Sequence, residues 1–257
     1  MKITILTDNV AGPRFIATHG LSYYIEDDIN VLFDTGPDNT FIENARRLNL
    51  ELKPDYIVLS HGHWDHGNGL EFSPGKKLIC HPDCFQKRFS KTKNIYVGLN
   101  KNEIELSDKF EILKSEKPYR LSENMTFLGE IPHASDFEAL TTDFIDASGQ
   151  DDFIPDDSAL AIKTQAGLII ISGCAHTGIC NTITYAIEVT KISKILAVFG
   201  GYHLKTSGGA TQKTIDFFKM HQIEKAFPSH CTSLPALSEF YKTFKLPQVL
   251  TGNYYYF

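Results

Sequence analysis

Apolar residues in the first third of the chain fall in short runs closed by turn-forming residues: "ITIL" (3–6), "LSYYI" (21–25), "NVLFDTG" (30–36), "YIVLSHG" (56–62) and "KLIC" (77–80). Runs of that length bounded by Gly, Asp or Ser predict strands. Between the third and fourth, "DNTFIENARRLNLEL" (38–52) repeats differently: Phe41, Ile42, Ala45 and Leu48 fall on one helical face behind the capping candidate Asp38. A helix thus joins two strands.

The same grammar returns later. "SALAIKT" and "LIIISGC" flank the turn "QAG" at 165–167; the helical pattern "GICNTITYAIEVTKI" follows, then "KILAVFGG", the amphipathic "TQKTIDFFKMHQI", the strand-like "KAFPSHC" and the helix "LPALSEFYKTF" with Pro235 in its first turn. Residues 87–157 mix polar and turn-forming residues around a few short strands. Within them, "TTDFIDASGQDDFIPDD" (141–157) reads as a long acidic loop, a candidate lid or insertion around 140–157. No linker, repeat or low-complexity tract breaks the chain. The expectation is one α/β domain over residues 1–257, with sheets packed together and helices outside.

Charge narrows the partners. A net charge of -6 with acids and bases interspersed gives no reason to expect nucleic acid or an anionic membrane, and leaves a small-molecule substrate as the expected partner. The apolar run in "MKITILTDNV" is too short for a signal-peptide core, and nowhere do eighteen apolar residues run together. Five cysteines, odd in number and scattered, argue against a disulfide framework and fit a reducing, cytoplasmic setting. The terminal "NYYYF" reads as a packed edge or as a contact in a homodimer.

The chemistry concentrates in "SHGHWDHGNGL" (60–70), where three histidines and an aspartate occur within six residues after a buried strand. Side chains alternate on extended backbone, so His61 and His63 point to one side across Gly62. A turn at Trp64 swings Asp65 and His66 toward a neighbouring point, at the spacing of a two-metal hydrolytic centre. This mixed nitrogen and oxygen set suits one or two divalent ions, zinc first, with iron or manganese as alternatives. Three more histidine-bearing segments, "SGCAH", "GGYHL" and "PSHC", also follow strand-like runs, so all four could open on one rim.

"HGHWDH" resembles the His-x-His-x-Asp-His signature of the metallo-beta-lactamase superfamily. Together with "GLSYYIE", "VLFDTG", "GEIPHASDFE", "ISGCAHTGICN", "FGGYHL" and "PSHCT", it is similar to the subgroup related to archaeal dihydropterin ribofuranosylaminobenzene phosphate synthase, most of whose members are described only as metal-dependent hydrolases. The resemblance implies a four-layer αββα sandwich of two mixed sheets flanked by helices, with the metals at the sheets' rim. It implies His61 and His63 as ligands of a first metal, Asp65 and His66 as ligands of a second, and His230 as the histidine completing the second. His176 is the choice for the remaining ligand of the first. Cys174 stands where many relatives carry a bridging aspartate; it reads as a thiolate ligand or as an inert buried cysteine.

His203, after two glycines, reads as an anion or substrate contact or as a packing residue, and His133 as a contact at the substrate mouth or a further ligand. Asp34 of "FDTG" is the natural acceptor to orient a ligand histidine through its other ring nitrogen. The chemistry expected is hydrolysis of a small anionic, phosphoester-type substrate by metal-activated water, with Asp65 orienting the nucleophile and shuttling its proton. Its rivals are a pterin-related synthase or transferase, an iron-dependent redox enzyme of the same fold, and a non-enzymatic module with a structural metal.

Overall fold

The computed structural model describes residues 1–257. In chain order the elements are β1 (Lys2–Thr7), β2 (Ser22–Glu26), β3 (Asn30–Phe33), α1 (Thr40–Arg47), β4 (Tyr56–Val58), α2 (Trp64–Gly67), β5 (Lys77–Cys80), β6 (Arg88–Ser90), α3 (Glu103–Ser107), β7 (Glu111–Lys114), β8 (Tyr119–Arg120), β9 (Met125–Phe127) and β10 (Phe144–Asp146). They continue with β11 (Ala159–Thr164), β12 (Gly167–Ser172), α4 (Ile179–Thr190), β13 (Ile195–Gly201), α5 (Gly209–Met220), β14 (Lys225–Ser229), α6 (Leu234–Phe244) and β15 (Tyr254–Tyr256). No helix is long and apolar enough to cross a membrane.

The elements form two compact units, one of Met1–Glu116, Thr141–Asp156 and Leu250–Phe257, the other of Lys117–Leu140 and Asp157–Val249. The first holds a seven-stranded sheet in the order β15-β1-β2-β3-β4-β5-β7. Its first four strands pair antiparallel and the rest parallel. Helix α1 is the crossover between β3 and β4, and Phe41 and Ala45 on its inner face pack into a core with Leu6, Leu32, Ile57 and Leu78. Asn39, rather than Asp38, sits at its N-cap, while Asp38 Oδ1 accepts the Thr40 N–H at 2.8 Å.

The terminal "NYYYF" run extends this sheet: Tyr255 and Tyr256 pair with Ile3 and Lys2. The acidic stretch read as a loop also contains structure. β10 pairs antiparallel with β6, Phe144 opposite Ser90 and Asp146 opposite Arg88. Only three residues of it are extended, too short a run to stand out among its acids and turn residues.

The second unit holds a six-stranded sheet, β14-β13-β12-β11-β9-β8. β12, β13 and β14 run parallel, and the remaining pairs are antiparallel. Its core gathers Ile170, Val198, Ile183, Phe218 and Phe240 from the strands and from α4, α5 and α6. Since β12, β13 and β14 point the same way, "SGCAH", "GGYHL" and "PSHC" all leave the sheet at one edge, the carboxyl ends of parallel strands where α/β sheets bind ligands.

Candidate metal centre

In the first unit, β4 carries Ile57 and Val58 fully buried and delivers the chain through Leu59 to Ser60. Gly62 follows, and a Cβ there would lie 1.8 Å from the Cys84 carbonyl oxygen, so only glycine passes this point. His61 and His66 are fully buried, His63 and Asp65 nearly so. His63 is extended (φ -86, ψ 148) and acts as N-cap of α2, the single turn that carries Asp65 and His66.

Donor counting fixes the protons of this cluster. The Ser60 hydroxyl has one hydrogen to give. Asp34 Oδ2 lies 2.7 Å from it, and an ionised carboxylate can only accept, so that hydrogen goes to Asp34. The 2.9 Å contact between Ser60 Oγ and His61 Nδ1 must then be donated by the ring. His61 therefore carries a proton on Nδ1, and Nε2 is the ring nitrogen turned toward His63. His66 Nδ1 donates to the same Asp34 Oδ2 at 2.7 Å, which leaves Nε2 as the nitrogen its neutral form would offer a metal. Asp34 Oδ1 accepts the Ser60 N–H at 2.7 Å.

Asp34 itself sits in the left-handed region (φ 55), a conformation Asp tolerates better than most residues. It contacts His66 directly and reaches His61 through the Ser60 hydroxyl. His61 Nε2 lies 2.9 Å from His63 Nδ1. Either one of these two nitrogens donates to the other, or both lone pairs face a common cation. With ring centroids of His61 only 4.6 Å from His63 and 4.2 Å from His66, this is a donor set that fits a divalent ion.

Two supports of the cluster were not legible in the sequence. Gly62 N–H donates to Asp156 Oδ2 at 2.7 Å. Asp156 is in turn held by Arg88, whose Nη1 lies 2.7 and 3.0 Å from its two oxygens. Arg88 Nε is 3.1 Å from Asp152 Oδ2, and the whole guanidinium is buried. Burial pulls its pKa down, but the charges of Asp156 and Asp152 more than offset that. Phe144 of β10 also packs on His63, ring centroids 4.6 Å apart. The second support is His19, exposed and 3.1 Å through Nε2 from Asp65 Oδ2.

In the second unit, Cys174 and His176 after β12 and His203 after β13 bring one ligand atom each within 4.8 Å of one another. The His176 and His203 rings lie 4.4 Å apart between centroids, tilted by 50°. His203 Nδ1 is buried without a hydrogen-bond partner, which fits a bound cation or anion. His203, read from the sequence as a substrate contact or packing residue, is thus grouped with Cys174 and His176.

Cys231 and His230 follow β14. Cys231 Sγ lies 3.3 Å from the Cys174 carbonyl oxygen. Burial raises the Cys231 thiol, but hydrogen bonds with Cys174 and His203 and the charges of His203 and His230 pull it well below the ordinary range. Ala175, His203 and His230 all have positive φ (53, 49 and 48), so each strand ends in a sharp left-handed turn. His133 is exposed, on a segment whose Ala134 and Ser135 N–H groups donate to Asn181 Oδ1.

A family model described as metallo-beta-lactamase superfamily matches residues 16–73, the stretch containing Asp34 and the histidine cluster. An uncharacterized protein of Methanocaldococcus jannaschii is 35% identical, covering 92% of this chain and 93% of its own. From the same organism, 7,8-dihydropterin-6-methyl-4-(beta-D-ribofuranosyl)-aminobenzene-5'-phosphate synthase is 33% identical, covering 95% of this chain and 92% of its own. Among solved structures, a metal-dependent hydrolase of the beta-lactamase superfamily superposes with a TM-score of 0.90 at 29% identity, covering 100% of this chain and 99% of its own. Its two large mixed sheets with helices match the metallo-beta-lactamase fold; with near full-length relatives above 30% identity and the Asp34-oriented histidine cluster in the matched segment, the chain is a member of the metallo-beta-lactamase superfamily.

Proposed function

We propose that the protein is a metal-dependent hydrolase of a small anionic, phosphoester-type substrate, with zinc as its ion. The observation that carries this is the chain from Asp34 through Ser60 to His61, with His66 on the same carboxylate, which engages Nδ1 of two buried imidazoles and leaves Nε2 of each as the nitrogen for a metal. A neutral imidazole with its far nitrogen pinned by a carboxylate or hydroxyl is the form a metal requires. His61, His63, Asp65 and His66 are the assigned ligands in the first unit; His176, His230 and the Cys174 sulfur are those assigned in the second.

When bound, a divalent cation lowers the pKa of water toward neutrality and polarises the ester under attack. The protein's own groups do the rest. Asp65 orients the nucleophile and shuttles its proton. His203, at the end of a tight glycine-containing strand, and His133, on an exposed segment, bind anionic oxygens of the substrate. The relative named as a synthase favours a second reading, a condensation that joins a pterin to a ribosyl aromatic phosphate on the same ligand set.

The deciding experiment is elemental analysis of protein purified without added metal, followed by a screen of phosphomonoesters, phosphodiesters and lactones. The expected result is bound zinc and phosphoester turnover, both lost in His61→Ala and Asp65→Ala with the fold intact. Product formed from a pterin and a ribosyl aromatic phosphate without ester hydrolysis selects the synthase. Full hydrolysis by either variant rejects the mechanism.

A further inference from the structure

The superfamily signature ends at His66, yet the structure places a histidine from far outside it against the signature aspartate. His19 Nε2 lies 3.1 Å from Asp65 Oδ2. The His19 side chain is 57% exposed, Asp65 only 11%. An exposed histidine and carboxylate held only by attraction contribute at most about 1 kcal/mol and need no special backbone.

Here the backbone is built around the pair. Leu21 N–H donates to the Asp65 carbonyl at 3.2 Å, so the residues flanking His19 are tied to the aspartate's own main chain. Gly20 packs so tightly between them that a Cβ would lie 2.5 Å from the Asp65 carbonyl oxygen and 2.6 Å from Pro37 Cδ. Thr18 N–H and Gly20 N–H are anchored in turn by the Asp8 carbonyl and Asn9 Oδ1, both at 3.3 Å. The imidazole is further backed by the Trp64 ring, centroids 5.8 Å apart.

We infer that His19 is a metal ligand that shares one divalent cation with Asp65. This rests on the reading of Asp65 as a ligand. The geometry is that of two donors on one ion: with bonds of about 2.0–2.2 Å to nitrogen and oxygen, neighbouring ligand atoms lie about 3.0–3.5 Å apart. The 3.1 Å between His19 and Asp65 falls inside that interval. His19 and Asp65 would hold such an ion beside the more exposed of the two side chains, His19.

The test uses cobalt(II) loaded into the full-length protein, where each ligated imidazole gives an exchangeable, hyperfine-shifted N–H proton resonance. His19→Gln keeps a side chain able to hydrogen-bond Asp65 and, at an exposed position, leaves the fold intact; His19→Ala serves as its control. The expected result is that both variants lose one such resonance and bind one equivalent of cobalt at least about tenfold more weakly in chelator competition. Unchanged resonances and affinity in the variants overturn the inference while leaving the metal centre standing. A wild-type protein that takes up no cobalt overturns the metal reading itself and this inference with it.

Discussion

Asp156 reaches across 94 residues of sequence to accept, at 2.7 Å, the backbone N–H of Gly62, the one residue that separates His61 from His63. The same buried carboxylate is paired with Arg88, whose Nη1 lies 2.7 Å from Asp156 Oδ1. The histidine turn is therefore held through its main chain as well as its rings.

Removing either partner of this buried pair leaves an uncompensated charge. Asp156→Ala strands the Gly62 N–H and part of the Arg88 guanidinium; Arg88→Ala strands two carboxylates. Each is expected to lower unfolding free energy by about 3–5 kcal/mol in urea titrations, and Arg88→Met with Asp156→Leu together by less than either alone. A loss below about 1 kcal/mol, as for an exposed pair, shows that Asp156 does not brace the turn.

The contrast between these residues and the histidines explains what the sequence could disclose. Strands β3, β4, β12 and β13 announce themselves as short apolar runs, and three of the four histidine-bearing segments can be placed at one sheet edge once β12, β13 and β14 are seen to run parallel. His61 to His66 are legible because their neighbours in sequence are their neighbours in space. Arg88 and Asp156 are not, because each looks like an ordinary surface charge until folding buries it. His19 carries no local pattern at all; its meaning lies in a contact with a residue 46 positions away, counted from 19 to 65.

Asp34→Asn tests the tautomer argument. Asparagine tolerates the left-handed backbone at this position, so the fold should persist. Its amide has one accepting oxygen where the carboxylate had two, and it serves three donors: Ser60 N–H, Ser60 Oγ and His66 Nδ1. With an NH2 group turned on His66, the ring must shift its proton to Nε2 and lose the lone pair a metal needs. The expected loss of metal affinity is about 10–100-fold at nearly unchanged thermal stability. Chelator competition reads it; equal affinity in the two proteins defeats the tautomer assignment.

Glu138 gives a pH dependence in the second unit, separate from any ligand. Its carboxylate is buried and accepts the Cys180 and Asn181 N–H groups, both at 2.9 Å, at the start of α4. Burial raises its pKa above the ordinary 4.5, against the opposing pull of those hydrogen bonds. The folded protein consequently keeps this proton at pH values where the unfolded chain has released it. Between 4.5 and the raised folded value the native state binds more protons than the unfolded one, so stability falls as pH rises through that window. Above it the penalty is complete and constant. Glu138→Gln cannot titrate, and its stability curve should be flatter than wild type across the window; Asp152, raised as well, remains in both proteins and cancels in the comparison. Urea midpoints in half-unit steps from pH 4 to about 7 measure the difference in slope. Parallel curves would mean that Glu138 enters the fold already ionised, with the helix N-terminus offsetting its burial in full.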